Sequence, residues 1–186
     1  MHKAKLPISR CYALEGVYPT AAQLAQEYLN VYSNDWHGWR ILGASYFLLK
    51  SFDKSLQAYQ SAVRLGDTNS YGPLAMAALK DNRLDVVGEM IPQLMALKDA
   101  KQTPEGERFH LISVLLFYSA KTYQRDVFIK TLEGEDLTKI LQDKDIKLDI
   151  DSGCHIFKGK EIERIHQEFE AALSANSDSS TNAASP

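Results

Sequence analysis

The sequence is 186 residues long, one domain's worth of protein at ~100–200 residues per domain. Hydrophobic residues make up 45% and charged residues 24%, which excludes a wholly disordered chain. Lys and Arg total 21 against 24 Asp and Glu, a net charge of −3, which excludes a dedicated nucleic-acid binder with its basic stripe. Two cysteines, Cys11 and Cys154, make no disulfide framework and point to a reducing compartment. Behind the basic N-terminus there is no apolar export segment. The longest apolar run, 111–118, is far short of the ~20 residues that a membrane span needs. The expectation is a cytoplasmic protein without membrane insertion.

In chain order, residues 1–19 show no periodicity and read as an irregular segment. Thr20 with Gln23 three residues later fits a capping box that opens a helix through Ala21, Leu24, Ala25, Tyr28 and Tyr32. Asn34 and Asp35 can cap a second helix carrying Trp36, Trp39, Ile41, Leu42, Tyr46 and Leu49. Ser51 opens a third helix through Leu56, Tyr59, Ala62, Val63 and Leu65, stopped by Gly66-Asp67-Thr68-Asn69. Ser70 caps a fourth, with Pro73 tolerated in its first turn. Residues 84–97 read as a fifth helix, and Pro92 inside it predicts a kink or break. Thr103-Pro104-Glu105 starts a long helix over 104–120, because proline suits the first position and a carboxylate suits the positive dipole end. A further helix follows near 125–132. Residues 146–157 alternate and could pair as a short hairpin. Over 160–173, Ile162, Ile165, Phe169, Ala172 and Leu173 form one apolar stripe, and this segment reads as a capping helix. The small polar residues of 175–186 read as a disordered tail.

The first helices of successive pairs begin at Trp36, Ser70 and Pro104, 34 residues apart each time. A fixed period with two helices in each unit indicates stacked helical repeats. The predicted fold is all-α, a short solenoid of antiparallel helix pairs over 20–132. An extension over 133–174 carries the capping helix.

Trp39-Arg40-Ile41-Leu42-Gly43-Ala44-Ser45-Tyr46 is followed on the next helix by Ser55, Tyr59 and Ala62. This pattern resembles the tetratricopeptide repeat family, completely on the first helix of 36–69, with Ser55 in place of the usual alanine and Asp67 in place of the closing proline, and by period alone elsewhere. Gly43 and Ala62 let paired helices approach closely, and Trp39, Leu42, Tyr46 and Tyr59 fill the wedge between them. The resemblance implies a groove along the first helices that receives a peptide or an amphipathic helix of a protein partner. On that face lie His37, Arg40, Ala44, Phe47 and Leu48, and from the next unit Tyr71, Leu74, Ala78 and Asp81. A groove with this lining suits an apolar or amphipathic segment better than a highly acidic one. Some family members clamp an acidic chain end with paired Lys and Asn. Ala44 stands here where that Asn would lie, which argues against the clamp.

Chemistry-bearing constellations are sparse. The five histidines, His2, His37, His110, His155 and His166, form no HExxH, and no Cys-x-x-Cys occurs. Cys154-His155 with His166 is the one local cluster of soft ligands and reads as unrelated loop and helix residues. Asp149 to Gly153 hints at a calcium loop, but Lys160 occupies the place of its bidentate Glu. No catalytic residue, cofactor or metal is therefore expected. The reading is a non-catalytic protein-interaction module. One alternative is a small secretion or assembly chaperone of the same layout, and a further one is an enzyme or metal protein using 144–168.

Overall fold

The computed structural model describes residues 2–136, together with Lys139 and Gln142. Among the described residues every regular element is helical. The helices are α1 (Lys5–Leu14), α2 (Tyr18–Leu29), α3 (Trp36–Leu48), α4 (Phe52–Arg64), α5 (Tyr71–Lys80), α6 (Leu84–Asp99), α7 (Glu105–Thr122) and α8 (Arg125–Leu132). The hairpin expected in 146–157, the capping helix over 160–173 and the tail over 175–186 lie outside the described residues. The chain divides into two compact units within α6, between Gln93 and Leu94.

Three expectations are corrected. Residues 5–14, read as irregular, form α1. That helix buries only Ser9 outright and exposes Ile8 and Leu14, so it shows no apolar stripe for a periodicity reading to find. The Thr20 capping box does not form. Helix α2 begins three residues earlier with Pro19 in its first turn, and Gln23 donates to Glu27 instead. Pro92 does not break α6, which runs unbroken past it. The proline lies on the exposed side, where water can take the carbonyl that the missing N–H leaves free.

Ser70 precedes α5 without capping it, its hydroxyl donating to Asp67 instead, but two other helix starts carry the signals read for them. Asp35 caps α3 by accepting the His37 N–H at 3.0 Å, and Glu105 and Glu107 stand in the first turn of α7. The turns inside the successive helix pairs share one device. Gly16, Lys50, Asn82 and Tyr123 all take positive φ. The N–H of the residue after each one donates to a carbonyl five residues back: Val17 to Tyr12, Ser51 to Tyr46, Arg83 to Ala78 and Gln124 to Ser119. Such turns satisfy the last carbonyls of the first helix and reverse the chain at once.

In the first unit α1 packs on α2, α2 on α3, α3 on α4 and α4 on α5, and α1 also reaches α3. Small residues set these contacts. Ala21, Ala25, Ala62, Ala75, Ala77 and Ala78 are fully buried. At Gly43 a Cβ would stand 3.0 Å from the Tyr59 ring, the close approach expected there. Gly38 does the same against Leu29, at 2.8 Å, and had no motif to announce it. Leu42 and Ala58 join Ala22, Ala25, Tyr28 and Leu29 in one cluster, with Trp39 and Tyr46 half-buried against its rim. Buried serines tie the pairs together: Ser9 donates to the Ala21 carbonyl at 2.7 Å and Ser55 to that of Gly43 at 2.8 Å.

The second unit is built differently. Helix α7, packed on α8, buries Leu111, Ile112, Val114, Leu115 and Leu116 completely, an apolar run that covers most of its circumference. Also buried in this unit is Lys98, 1% exposed, whose Nζ donates to the Thr131 carbonyl at 3.3 Å and to Glu135 at 3.2 Å. Arg108 reaches the same Glu135 oxygen at 2.9 Å.

Candidate functional site

The first unit carries a cleft of about 570 Å³ on the side of its first helices. Helix α1 contributes Leu6, Pro7 and Arg10, and α3 contributes His37, Arg40, Ile41 and Ala44. Tyr59 of α4 and Pro73 of α5 complete the lining. Helical spacing explains the α3 wall: Arg40 and Ile41 each lie three or four residues from both His37 and Ala44, so the four share a face. The surface is mainly aliphatic, with cationic groups set into it and no carboxylate among the lining residues.

Arg40 and His37, the polar side chains of the α3 wall, are each held by a partner of their own. Arg40 places Nη1 3.5 Å from Asp67 Oδ1, and its guanidinium carbon lies 4.8 Å from the centre of the Trp36 ring. Asp67 is buried, and its other oxygen accepts the Ser70 hydroxyl at 2.6 Å. His37 stacks on Trp36 with ring centres 3.4 Å apart and puts Nδ1 3.0 Å from Asp35 Oδ1. Asp35 in turn accepts the Tyr28 hydroxyl at 2.6 Å. That bond, with burial behind it, pushes the Tyr28 phenol up to about 12. Burial raises Asp35, but the bonds from Tyr28 and from the His37 backbone and ring outweigh it and leave the carboxyl below its ordinary value. Burial, the largest influence, also pushes the Tyr59 phenol upward.

Of the residues expected on the groove face, His37 and Arg40 line the cleft and Ala44 forms part of its floor. The others fall elsewhere. Phe47 packs edge-on to Phe52 with ring centres 5.4 Å apart, and Leu48 is half exposed. Tyr71, at the start of α5, is half-buried. Leu74 is 4% exposed and belongs to the core, a correction that follows from its place on the inner face of α5. Leu6, Pro7 and Arg10 could not be anticipated once α1 was read as irregular. Asp67 carries no signal in the sequence beyond its place in the Gly66-Asp67-Thr68-Asn69 stop. Trp39 sits at the rim of the core with its indole N–H on the Ser33 carbonyl at 2.7 Å.

Two other concavities carry less. A shallower hollow of about 670 Å³ beside Tyr28, Tyr32 and Trp36 has its polar groups engaged with one another, as the Tyr28–Asp35 and Asp35–His37 bonds show. In the second unit a hollow of about 340 Å³ surrounds the Arg108–Glu135 pair. No group of three or more metal-ligating side chains occurs among the described residues. None of their helices is long and apolar enough to cross a membrane. The Cys154, His155 and His166 cluster lies outside the described residues.

Compared with known proteins, the chain matches no family model, no curated protein and no solved structure.

Proposed function

We propose that this chain is a non-catalytic interaction module, built of tetratricopeptide-like helix pairs, that holds a peptide or helix of a protein partner in the cleft between α1, α3 and α5. The observation that carries the reading is the cleft itself: about 570 Å³, floored by Leu6, Pro7, Ile41, Ala44 and Pro73, with polar groups at few points. That balance of apolar floor and sparse polar anchors is what a short segment with one or two buried side chains requires. The resemblance of 36–69 to the tetratricopeptide pattern supports the same face. So do the first helices, which start at Trp36, Tyr71 and Glu105, 35 and 34 residues apart.

The test is co-purification from the native cell of wild type, Ala44→Trp and Gln57→Trp. Ala44→Trp fills the cleft, and Gln57 is exposed on α4 away from it. A partner retained by wild type and Gln57→Trp but lost from a folded Ala44→Trp supports the reading. A partner retained by all three moves the binding surface elsewhere.

A further inference from the structure

The cationic side chains of the cleft are not equivalent. Arg40 stands opposite the buried Asp67 carboxylate and over Trp36, so its charge is matched inside the fold. His37, whatever its charge, holds Nδ1 3.0 Å from Asp35 Oδ1. Arg10, which enters from α1, makes no hydrogen bond, ion pair or ring contact with any described residue. An incoming anion at Arg40 would compete with Asp67 for the same guanidinium. At Arg10 it would meet an exposed cation with no prior partner, at the edge of an apolar floor.

Resting on the reading of this cleft as a partner-binding groove, we infer that Arg10 is its charge-selecting residue. The segment it takes carries an Asp or Glu side chain next to a bulky apolar one, the acid at Arg10 and the apolar group against Leu6, Ile41 and Ala44. Arg40 is then a positioning residue. Paired with Asp67 and stacked on Trp36, it shapes the α3 wall and leaves the choice of charge to Arg10. Selection works in both directions, because a basic segment in the same seat meets like charge. This chemistry differs from a clamp built on the α3 position of Arg40, since the residue one turn on, Ala44, offers no hydrogen bond.

A phage-displayed library of random peptides, selected on the full chain, supplies the probe. Peptides whose binding is lost in both Ala44→Trp and Ala44→Lys are cleft binders, provided those variants melt as wild type does. The expected result is a shared Asp or Glu beside an apolar residue. Arg10→Glu weakens these peptides about tenfold or more and turns a fresh selection toward Lys or Arg. Arg10→Lys retains the acidic preference, and Arg40→Gln leaves it unchanged. Cleft binders without a shared acid, or acidic peptides that bind Arg10→Glu as tightly as wild type, overturn the inference while the groove reading stands. So does a preference that vanishes with Arg40→Gln instead. A selection with no peptide sensitive to the Ala44 variants overturns the groove reading and this inference with it.

Discussion

The first unit and the second bury their interiors by opposite means. In the first, helices approach over glycine and alanine, and aromatic rings close the gaps, as Tyr59 does over Gly43. The second fills space with branched aliphatic side chains along α7 and admits a buried ionic group, Lys98 with Glu135 and Arg108. The close approach at Gly43 leaves a recognisable spacing in the sequence. A buried ion pair between residues 37 positions apart leaves none. The two strategies also fail differently. A close contact tolerates no added volume, whereas a buried charge tolerates no lost partner.

The largest effect is expected at Glu135. Glu135→Ala leaves the buried Lys98 with two carbonyls and the exposed Asp99 alone to offset its charge, and is expected to cost about 3 kcal/mol, because losing the buried partner of a buried charge is the main penalty. Lys98→Met, which removes the charge and keeps the volume, is expected to be near neutral. Denaturant unfolding of the two variants checks this, and equal losses would mean that packing rather than charge holds the site. Hydrogen exchange should place the Glu135→Ala loss in the second unit.

Next comes Gly43→Leu, expected to cost roughly 1–3 kcal/mol by forcing Tyr59 aside. The loss should appear by hydrogen exchange in the first unit. A variant that melts with wild type would remove the close-approach half of the comparison.

Asp35 joins both themes on a smaller scale, as a cap and as the acceptor of the Tyr28 hydroxyl. Asp35→Ala is expected to cost about 1 kcal/mol for the lost cap. Its carboxyl is depressed in the fold, so its contribution is present above the unfolded value near 3.8 and is lost as the pH falls through the lower folded value. The stability gap between wild type and Asp35→Asn should therefore narrow below about pH 4. A gap independent of pH would show that the bond geometry, not the charge, matters. At the small end, Arg83→Ala removes an exposed pair with Asp85 and should leave the melting temperature unchanged.

Much of the helical framework could be read from residues alone. Asp35 as a cap, Gly66 as a stop and Pro104-Glu105 as a start act through bonds within one turn of chain, and the helices near them fall where those signals lie. The candidate site was legible only on α3, where His37, Arg40 and Ala44 share a face by helical spacing. Helix α1 was missed because it buries only Ser9 outright and carries no apolar stripe for a periodicity to show. Leu74 was placed on the groove because its spacing fits either face of α5.

What the sequence by itself determined is local: where backbone groups find partners within a few residues, and where a missing side chain permits a close contact. Only the tertiary structure decided which surfaces meet. It made Asp67 the buried partner of Arg40, brought Arg10 to the cleft, and set Lys98 over the end of α8. Those outcomes depend on distances between residues far apart in the chain, and a charge or an apolar group carries the same letter whether it ends in water or in the core.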